Sequence, residues 1–229
     1  MCIRDSLNIT PDSFSDGGRY CDPDAAAARA EQMQEEGADL IDVGGESTRP
    51  GYTQIPAKEE IRRIVPVIRK LKSRLDLPVS VDTYKAEVAE AALLAGADMI
   101  NDIRGLKYDP EMASLIARHG AACCLMHSRD VPEYGNLIRD MKKDLAESLR
   151  LAVSSGIGKD RILLDPGIGF GKTYEMNLEV LKNLGEFHEL GVPLLLGVSR
   201  KSVIGLTLLI IRIYLTILGN MVIRATNAI

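Results

Sequence analysis

The chain has 229 residues, 46% of them hydrophobic and 26% charged, so it can bury a substantial core and is neither disordered nor collagen-like. Its 28 basic and 32 acidic residues give a net charge of −4, which argues against a nucleic acid as partner. The four cysteines form no CxxC pair and indicate no disulfide framework. The N-terminal residues lack the apolar core of a signal peptide, so we expect a cytoplasmic protein.

Short apolar runs alternate with amphipathic helical patterns, beginning with a helix that Asp22 caps and Pro23 opens. The predicted elements in chain order are helix 23–36, strand 40–43, helix 58–75, strand 79–81, helix 85–95, strand 99–103, helix 110–118, strand 121–126, helix 136–154, strand 162–164, helix 177–190 and strand 194–198. The runs are near-continuously apolar, as are strands of a parallel sheet that is covered on both faces. The alternation predicts a parallel α/β architecture.

Nearly every predicted strand ends in polar residues, and this feature decides between two closures of the sheet. A doubly wound sheet gathers its functional groups at one switch point, whereas a (β/α)8 barrel collects them from the carboxyl ends of many strands. We therefore predict one domain over residues 1–229, a (β/α)8 TIM barrel. Because seven residues precede Asn8 and 24 (229 − 205) follow Gly205, we expect the barrel to be incomplete at its first strand and at its last helix and strand.

Residues 206–218 are almost wholly apolar, with Arg212 as the one charged residue. The run is shorter than the roughly 20 residues that a helix needs to cross a bilayer. A charged residue near its centre would add a further cost of about 2.5–3.5 kcal/mol to insertion. We therefore expect a buried helix or strand here and no membrane contact.

Six segments carry polar and glycine-rich motifs. They are NITPDSFSDGG at 8–18, DVGGESTRPG at 42–51, SVDT at 80–83, NDI at 101–103, DPGIGFGK at 165–172 and SRKS at 199–202. In this order they resemble the motifs of the dihydropteroate synthases, pterin-binding barrel enzymes that sulfonamides inhibit. The resemblance covers residues 7–206 and leaves 207–229 as an atypical C-terminal segment. It implies condensation of 7,8-dihydropterin-6-ylmethyl diphosphate with p-aminobenzoate, with release of diphosphate and Mg²⁺ as cofactor.

The pterin ring is a flat array of hydrogen-bond donors and acceptors, which buried carboxylates and an amide at strand ends can recognise by charge-assisted hydrogen bonds. Asp82, Asn101 and Asp165 are the residues expected to do so, and by resemblance Lys201 joins them. The alternative for each aspartate is a helix cap or a turn at a strand-to-helix junction. That alternative weighs more heavily for Asp42 and Asp102.

The loop TPDSFSDGG is rich in Ser, Asp and Gly, which is typical of a mobile lid over a site. The resemblance implies that Asn8 supports the Mg²⁺ that holds the diphosphate, and that Thr48 and Arg49 face the reacting region. One amide ligand is compatible with Mg²⁺, which keeps water and phosphate oxygens for its other positions. For residues 48–51 the alternative is an ordinary turn.

The SRKS segment lies where a strand passes into a helix, whose first N–H groups attract an anion. The resemblance supplies the carboxylate of p-aminobenzoate as that anion, with Ser202 and the helix start as its site and Phe170 beside its ring. The closing strand of the family bears an Arg-x-His pair that holds the diphosphate. Here Arg224 matches the arginine, but Thr226 replaces the histidine.

Two functions of other classes stay open. A pterin-binding protein without catalysis would keep Asp82, Asn101 and Asp165 but fail at the diphosphate, and Thr226 favours it. A corrinoid-linked methyltetrahydrofolate methyltransferase would share the pterin-recognising carboxylates but would need neither the TPDSFSDGG loop nor SRKS. A homodimer also stays open, while neither nucleic acid nor membrane is expected as a partner.

Overall fold

The computed structural model describes residues 2–9, 22–47, 53–198, 201 and 203–207. In these segments six strands alternate with helices. The strands are β1 (Arg4–Asn8), β2 (Leu40–Gly44), β3 (Val79–Asp82), β4 (Met99–Asp102), β5 (Ala122–Met126) and β6 (Ile162–Asp165). The helices are α1 (Pro23–Glu35), α2 (Ala57–Arg74), α3 (Ala86–Leu94), α4 (Met112–His119), α5 (Leu137–Ser154) and α6 (Tyr174–Lys182), with 3₁₀ helices at Lys159–Arg161 and Leu184–Leu190. Residues 203–207 are also helical.

The six strands form one parallel sheet in the order β1-β2-β3-β4-β5-β6. This order never reverses, as it would in a doubly wound sheet, and a barrel requires such an order. A parallel bridge between Leu164 and Leu194 places the next segment of the chain beside β6. The predicted strand 194–198 is thus reduced to one bridge among the described residues.

The helices cover the sheet through apolar faces. α1 contributes Ala26, Ala27 and Ala30, all fully buried, so small side chains allow it to lie close to its neighbours. The Asp22 side chain accepts a hydrogen bond from the backbone N–H of Asp24, which confirms the predicted cap. Of the helices in the described segments, none is long and apolar enough to cross a membrane. Most of the apolar run 206–218 lies outside those segments.

The structure corrects two details of the predicted elements. β1 pairs with β2 from Arg4 to Asn8 and has five residues, as β2 does, so the expected shortening of the first strand is wrong. The predicted helix 177–190 begins earlier and is divided into α6 and a 3₁₀ helix. The division falls at Asn183, whose N–H bonds the carbonyls of both Glu179 and Val180 in a tightened last turn.

A buried ionic network joins the end of β2 to α2 and to the segment after β3. The Lys85 ammonium donates to Glu46 Oε2 at 2.7 Å, to Glu60 Oε2 at 2.8 Å and to the carbonyl of Ile55 at 2.8 Å. The Tyr84 hydroxyl donates to the other Glu46 oxygen at 2.5 Å. Because the Ile55 N–H also donates to Glu46 Oε2 at 2.7 Å, the network joins two described residues, Glu46 and Ile55, that stand on either side of residues 48–52 in the sequence.

We expect Lys85→Met to lower the free energy of unfolding by about 3–5 kcal/mol, because it leaves two buried carboxylates without their cation. The Lys70→Met variant is the matched control, since Lys70 pairs with Asp24, whose side chain is 60% exposed, and such pairs contribute about 0–1 kcal/mol. Urea unfolding of both variants measures the difference. Equal losses in the two variants would show that the Lys85 network does not stabilise the fold.

Candidate active site

The carboxyl ends of the parallel strands bring the predicted site residues to one edge of the sheet. Asn8 is in register with Gly44, Gly44 with Asp82, and Asp82 with Asn101. Gly44 keeps this row open, because a Cβ there would lie 3.4 Å from Asn8 Oδ1 and 3.8 Å from the Asp82 Cβ. Three predicted residues therefore share one rim.

Asp42 and Asp82 add two carboxylates to this edge, Asp42 buried and Asp82 partly buried. Asp42 Oδ2 accepts a hydrogen bond from the Asn101 amide at 3.1 Å. Asp42 Oδ1, Asp82 Oδ1 and Ser80 Oγ are buried and have no hydrogen-bond partner among the described residues. Burial, and then the charge of Asp42, raise the pKa of Asp82 well above its usual range. Buried acceptors without donors are costly in a folded protein, and N–H groups of a ligand would satisfy them.

Asp165 reaches the same space from the far end of the strand order. Its Oδ1 accepts a hydrogen bond from the Gly167 N–H at 2.7 Å. Burial raises its pKa, against the opposing effects of that N–H and of the cations Lys201 and Arg4. A Cβ on Gly197 would lie 3.7 Å from Asp165 Oδ2 and 3.4 Å from Arg4 Nη2, although β1 and β6 are opposite ends of the strand order. The sheet is therefore curved as in a barrel, with these groups inside.

Lys201 and Phe170 lie together beside Asp165. The Lys201 ammonium donates to the carbonyl of Ile168 and lies 4.5 Å from the centroid of the Phe170 ring. Burial lowers its pKa, against the raising effect of Asp165. The Phe170 ring is half-buried and packs against the cluster of Tyr84, Ile103 and Met126. An aromatic face and a cation are thus presented at one point of the site.

Lys172 fixes the loop that carries Phe170 through hydrogen bonds to the loop backbone. Its ammonium donates to the carbonyls of Gly167 and Phe170, both at 2.9 Å, and lies 3.1 Å from His127 Nδ1. His127 Nε2 lies 3.1 Å from Asp144 Oδ2 on α5. Burial lowers the pKa of Lys172 to about 7 and that of His127 to about 4. Lys172 was not predicted as a functional residue and entered the sequence analysis only as a member of the DPGIGFGK motif.

Asp102 holds a turn at a strand-to-helix junction, which is the structural alternative that the sequence analysis left open for it. Its two oxygens accept hydrogen bonds from the backbone N–H groups of Arg104 at 2.7 Å and Leu106 at 2.8 Å. Burial raises its pKa to about 6. Because both of its oxygens hold the turn after β4, Asp102 does not belong to the buried acceptors that have no donor.

Arg4 is the site residue that sequence reasoning missed. Its guanidinium Nη1 lies 3.5 Å from Asp42 Oδ2, and its side chain is 19% exposed. The available signal was a charged residue four positions before Asn8, in the segment that precedes the first motif. The sequence does not reveal which strands lie beside the first one, so it could not show that the Arg4 side chain points to the inside of the sheet.

The Mg²⁺ expected from the resemblance has one candidate ligand here. Within the described segments, no group of three His, Cys, Asp or Glu side chains could hold a metal ion. Asn8 offers an amide oxygen at the rim, beside Gly44. Such a site fits Mg²⁺ that is bound mainly by diphosphate and water, and does not fit a cage built of protein ligands alone.

The described structure thus brings together Asp82, Asn101, Asp165, Lys201 and Phe170, with Asn8 at the rim. The remaining predicted site residues lie outside the described residues. They are Thr48, Arg49, Ser202 and Arg224.

Gly167→Ala should destabilise the protein by at least about 1–3 kcal/mol, the cost of a strained backbone conformation. Gly167 has φ +65°, and a Cβ there would lie 2.0 Å from the carbonyl oxygen of His127. Gly185→Ala is the control, because nothing lies within 4 Å of its added Cβ. Thermal unfolding compares the two. A Gly167 variant as stable as the control would show that the loop can move away at no cost.

Known proteins resemble this chain along most of its length. Residues 5–222 match the family described as pterin binding enzymes. A dihydropteroate synthase of Clostridium beijerinckii is 56% identical over 206 residues, which cover 90% of this chain and 77% of the relative. The crystal structure of a dihydropteroate synthase from Clostridium difficile in the presence of pteroic acid is 51% identical, with 91% and 80% of the two chains covered and a TM-score of 0.87. A Xanthomonas albilineans dihydropteroate synthase with 4-aminobenzoic acid is 46% identical, with 89% and 75% covered and a TM-score of 0.84. These likenesses confirm the predicted fold class.

Proposed function

The chain belongs to the dihydropteroate synthase family of pterin-binding enzymes, and we propose that it condenses 7,8-dihydropterin-6-ylmethyl diphosphate with p-aminobenzoate to give 7,8-dihydropteroate and diphosphate. The observation that carries the proposal is the set of buried carboxylate oxygens at the strand ends, two of which have no donor among the described residues. The relatives solved with pteroic acid and 4-aminobenzoic acid support the two substrate classes. The relatives named above are synthases, which favours this reaction over methyl transfer.

The pterin is recognised by the interior of the barrel. Its ring N–H and amino groups donate to Asp82 and Asp165, while Lys201 and the Asn101 amide donate to its ring acceptors. These groups are removed from water, so each hydrogen bond to an ionised partner is stronger than at the surface. Pterin binding also supplies donors to acceptors that are unsatisfied without it, which favours a donor-rich flat ring over an apolar one.

The reaction breaks the bond between the pterin methylene carbon and the bridging diphosphate oxygen, which keeps the electron pair. The p-aminobenzoate nitrogen then forms the new bond to that carbon and loses a proton to solvent. Departure comes first, so positive charge develops on the pterin methylene, and the carboxylates of Asp82 and Asp165 stabilise it. No side chain acts as a nucleophile.

The leaving diphosphate is held at the rim of the barrel. Mg²⁺ bound by Asn8 would neutralise part of its charge. Arg224 contributes a second positive charge, while Thr48 and Arg49 complete the reacting region from the loop after β2. The Lys85 network supports this assignment, because it fixes both ends of the loop that carries Thr48 and Arg49.

The p-aminobenzoate lies at the mouth of the site. Its ring packs beside Phe170, and Ser202 with the following helix start binds its carboxylate. The contact between Phe170 and Lys201 supports this placement, since it puts an aromatic face next to the pterin-recognising groups. Sulfonamides, which resemble p-aminobenzoate, are expected to compete for the same position.

Asp165→Asn should weaken pteroic acid binding about ten- to a hundred-fold, because a hydrogen bond to a charged group contributes about 1.5–3 kcal/mol. The amide keeps an oxygen for the Gly167 N–H, so the loop is retained. Asp130→Asn is the control, as its side chain is 84% exposed. Calorimetry measures both affinities, and an unchanged affinity in the Asp165 variant would remove this residue from the pterin site.

The activity is tested by dihydropteroate formation from the two substrates over a series of Mg²⁺ concentrations. We expect turnover that is lost on chelation and restored by Mg²⁺, and Asn8→Ala should raise the Mg²⁺ concentration needed for half-maximal rate several-fold. Pteroic acid affinity should not change in this variant, since pteroic acid has no diphosphate. A chain that binds pteroic acid but forms no product at any Mg²⁺ concentration is a pterin-binding protein without catalysis.

A further inference from the structure

Three side chains connect α5 to the loop that carries Phe170. Asp144 Oδ2, on α5, lies 3.1 Å from His127 Nε2, and the other ring nitrogen, Nδ1, lies 3.1 Å from the Lys172 ammonium. That ammonium donates to the carbonyls of Gly167 and Phe170. The His127 side chain is 1% exposed and that of Asp144 24%. We term Asp144, His127 and Lys172 the relay, because they form one line of hydrogen bonds from α5 to the loop.

The relay has one arrangement of protons that satisfies all of its members. Because burial lowers the pKa of His127 to about 4, its ring is neutral at pH 7 and carries one N–H. The Asp144 carboxylate can only accept, so it selects the ring form with the proton on Nε2, and Nδ1 then accepts from Lys172. The three N–H groups of the ammonium thereby meet three acceptors. Without Asp144, the proton is free to move to Nδ1, where it would face the ammonium as a second donor.

Other groups hold the residues on either side of Phe170. The Asn177 side-chain oxygen accepts from the Gly169 N–H at 2.7 Å, and the Tyr134 hydroxyl donates to the carbonyl of Gly171 at 2.8 Å. The relay holds the carbonyl of Phe170 between them. Loss of the relay should therefore shift the Phe170 peptide and its ring while the loop stays attached to the fold.

We propose that Asp144 is a positioning residue for p-aminobenzoate, which acts through His127 and Lys172 on the ring of Phe170. The proposal rests on the proposed function, because that function places p-aminobenzoate beside this ring. The pterin-recognising carboxylates are not members of the relay. A substitution on α5 should therefore weaken the use of p-aminobenzoate more than the binding of the pterin.

The proton on Lys172 gives the relay a pH dependence of definite sign. Burial lowers the pKa of Lys172 to about 7. The charges that act on it are those of Asp165 and Asp144, which raise its pKa, and of Lys201 and Arg129, which lower it; His127 faces it as well. Above this pKa the neutral amine has two N–H groups for three acceptors, so the relay loses a bond. The KM for p-aminobenzoate should therefore rise as the pH increases through 7.

The first test measures kcat and KM for p-aminobenzoate with saturating pterin diphosphate and Mg²⁺. Asp144→Ala and Lys172→Met should each raise KM about five- to ten-fold, the effect of about one hydrogen bond, with a smaller change in kcat. Asp144→Asn keeps an oxygen for the His127 Nε2–H and should recover most of the loss. Glu147→Ala is the matched control, since Glu147 is also an acidic residue of α5 but pairs with Lys107 and is 52% exposed.

A double variant decides whether Asp144 acts through Lys172. If it does, Asp144→Ala should add nothing to the effect of Lys172→Met, and the rise of KM with pH should be absent from both the Lys172 variant and the double variant. Additive effects would mean that Asp144 acts by another route, such as its ion pair with Arg129, and would overturn the proposal.

The second test follows the ring itself and needs no substrate. The chain has three phenylalanines, so fluorine-labelled phenylalanine gives three NMR signals, and the one absent from Phe170→Leu belongs to Phe170. This signal should move with pH around 7 in the unchanged chain, and Lys172→Met should abolish the movement. Asp144→Ala should shift it and Glu147→Ala should not. The signal of Phe187, which is fully buried, reports whether each variant keeps its fold.

The outcomes separate this inference from the proposed function. If the unchanged chain forms dihydropteroate, but Asp144→Ala changes neither KM nor the Phe170 signal, only the positioning role is wrong. If the Phe170 signal responds to Asp144→Ala and to pH but no variant forms dihydropteroate, the relay positions the ring and the proposed function fails.

Discussion

This site depends on one constraint. Several carboxylates are removed from water at the carboxyl ends of parallel strands. A buried carboxylate is stable only when it is protonated, paired with a cation or hydrogen-bonded. Asp102 meets the condition with backbone N–H groups, whereas Asp82 retains a buried oxygen without a donor in the described structure. The difference separates a carboxylate that holds a turn from one that can bind a ligand. The proposed reactive space is therefore where the fold leaves its acceptors unsatisfied.

The scaffold around these carboxylates is fixed mainly by backbone contacts. Gly167 and Gly171 allow the loop after β6 to lie against the backbone of His127 and Arg129, where any Cβ would overlap a carbonyl oxygen. Lys172 then bonds two carbonyls of the same loop. The loop can hold Phe170 in position because it has few ways to move. A site built on such a loop has the rigidity that precise recognition of a flat ring requires.

Much of this arrangement could be predicted from the sequence, because it depends on local patterns. The apolar runs predicted five of the strands to within two residues, and the polar residues at their ends led to the prediction of Asp82, Asn101 and Asp165, which the structure places at strand ends. The division after α6 could not be predicted, since helical periodicity continues through Asn183 while the hydrogen bonds change type. Arg4 was missed for another reason. The surroundings of its side chain include Asp42 and Asp165, which are distant from it in sequence and come near it only because the sheet curves.

The two lysines beside Asp165 illustrate how position decides function for identical side chains. Because the pKa of His127 is lowered to about 4, its imidazole is neutral at pH 7. Its Nε2–H can donate to Asp144, which leaves Nδ1 as the acceptor for Lys172. Lys172 is thus surrounded by acceptors of the protein itself and serves as a structural donor. Lys201 has one described carbonyl partner, so its ammonium retains donors for a ligand. Burial lowers its pKa, and the charge of Asp165 opposes that effect.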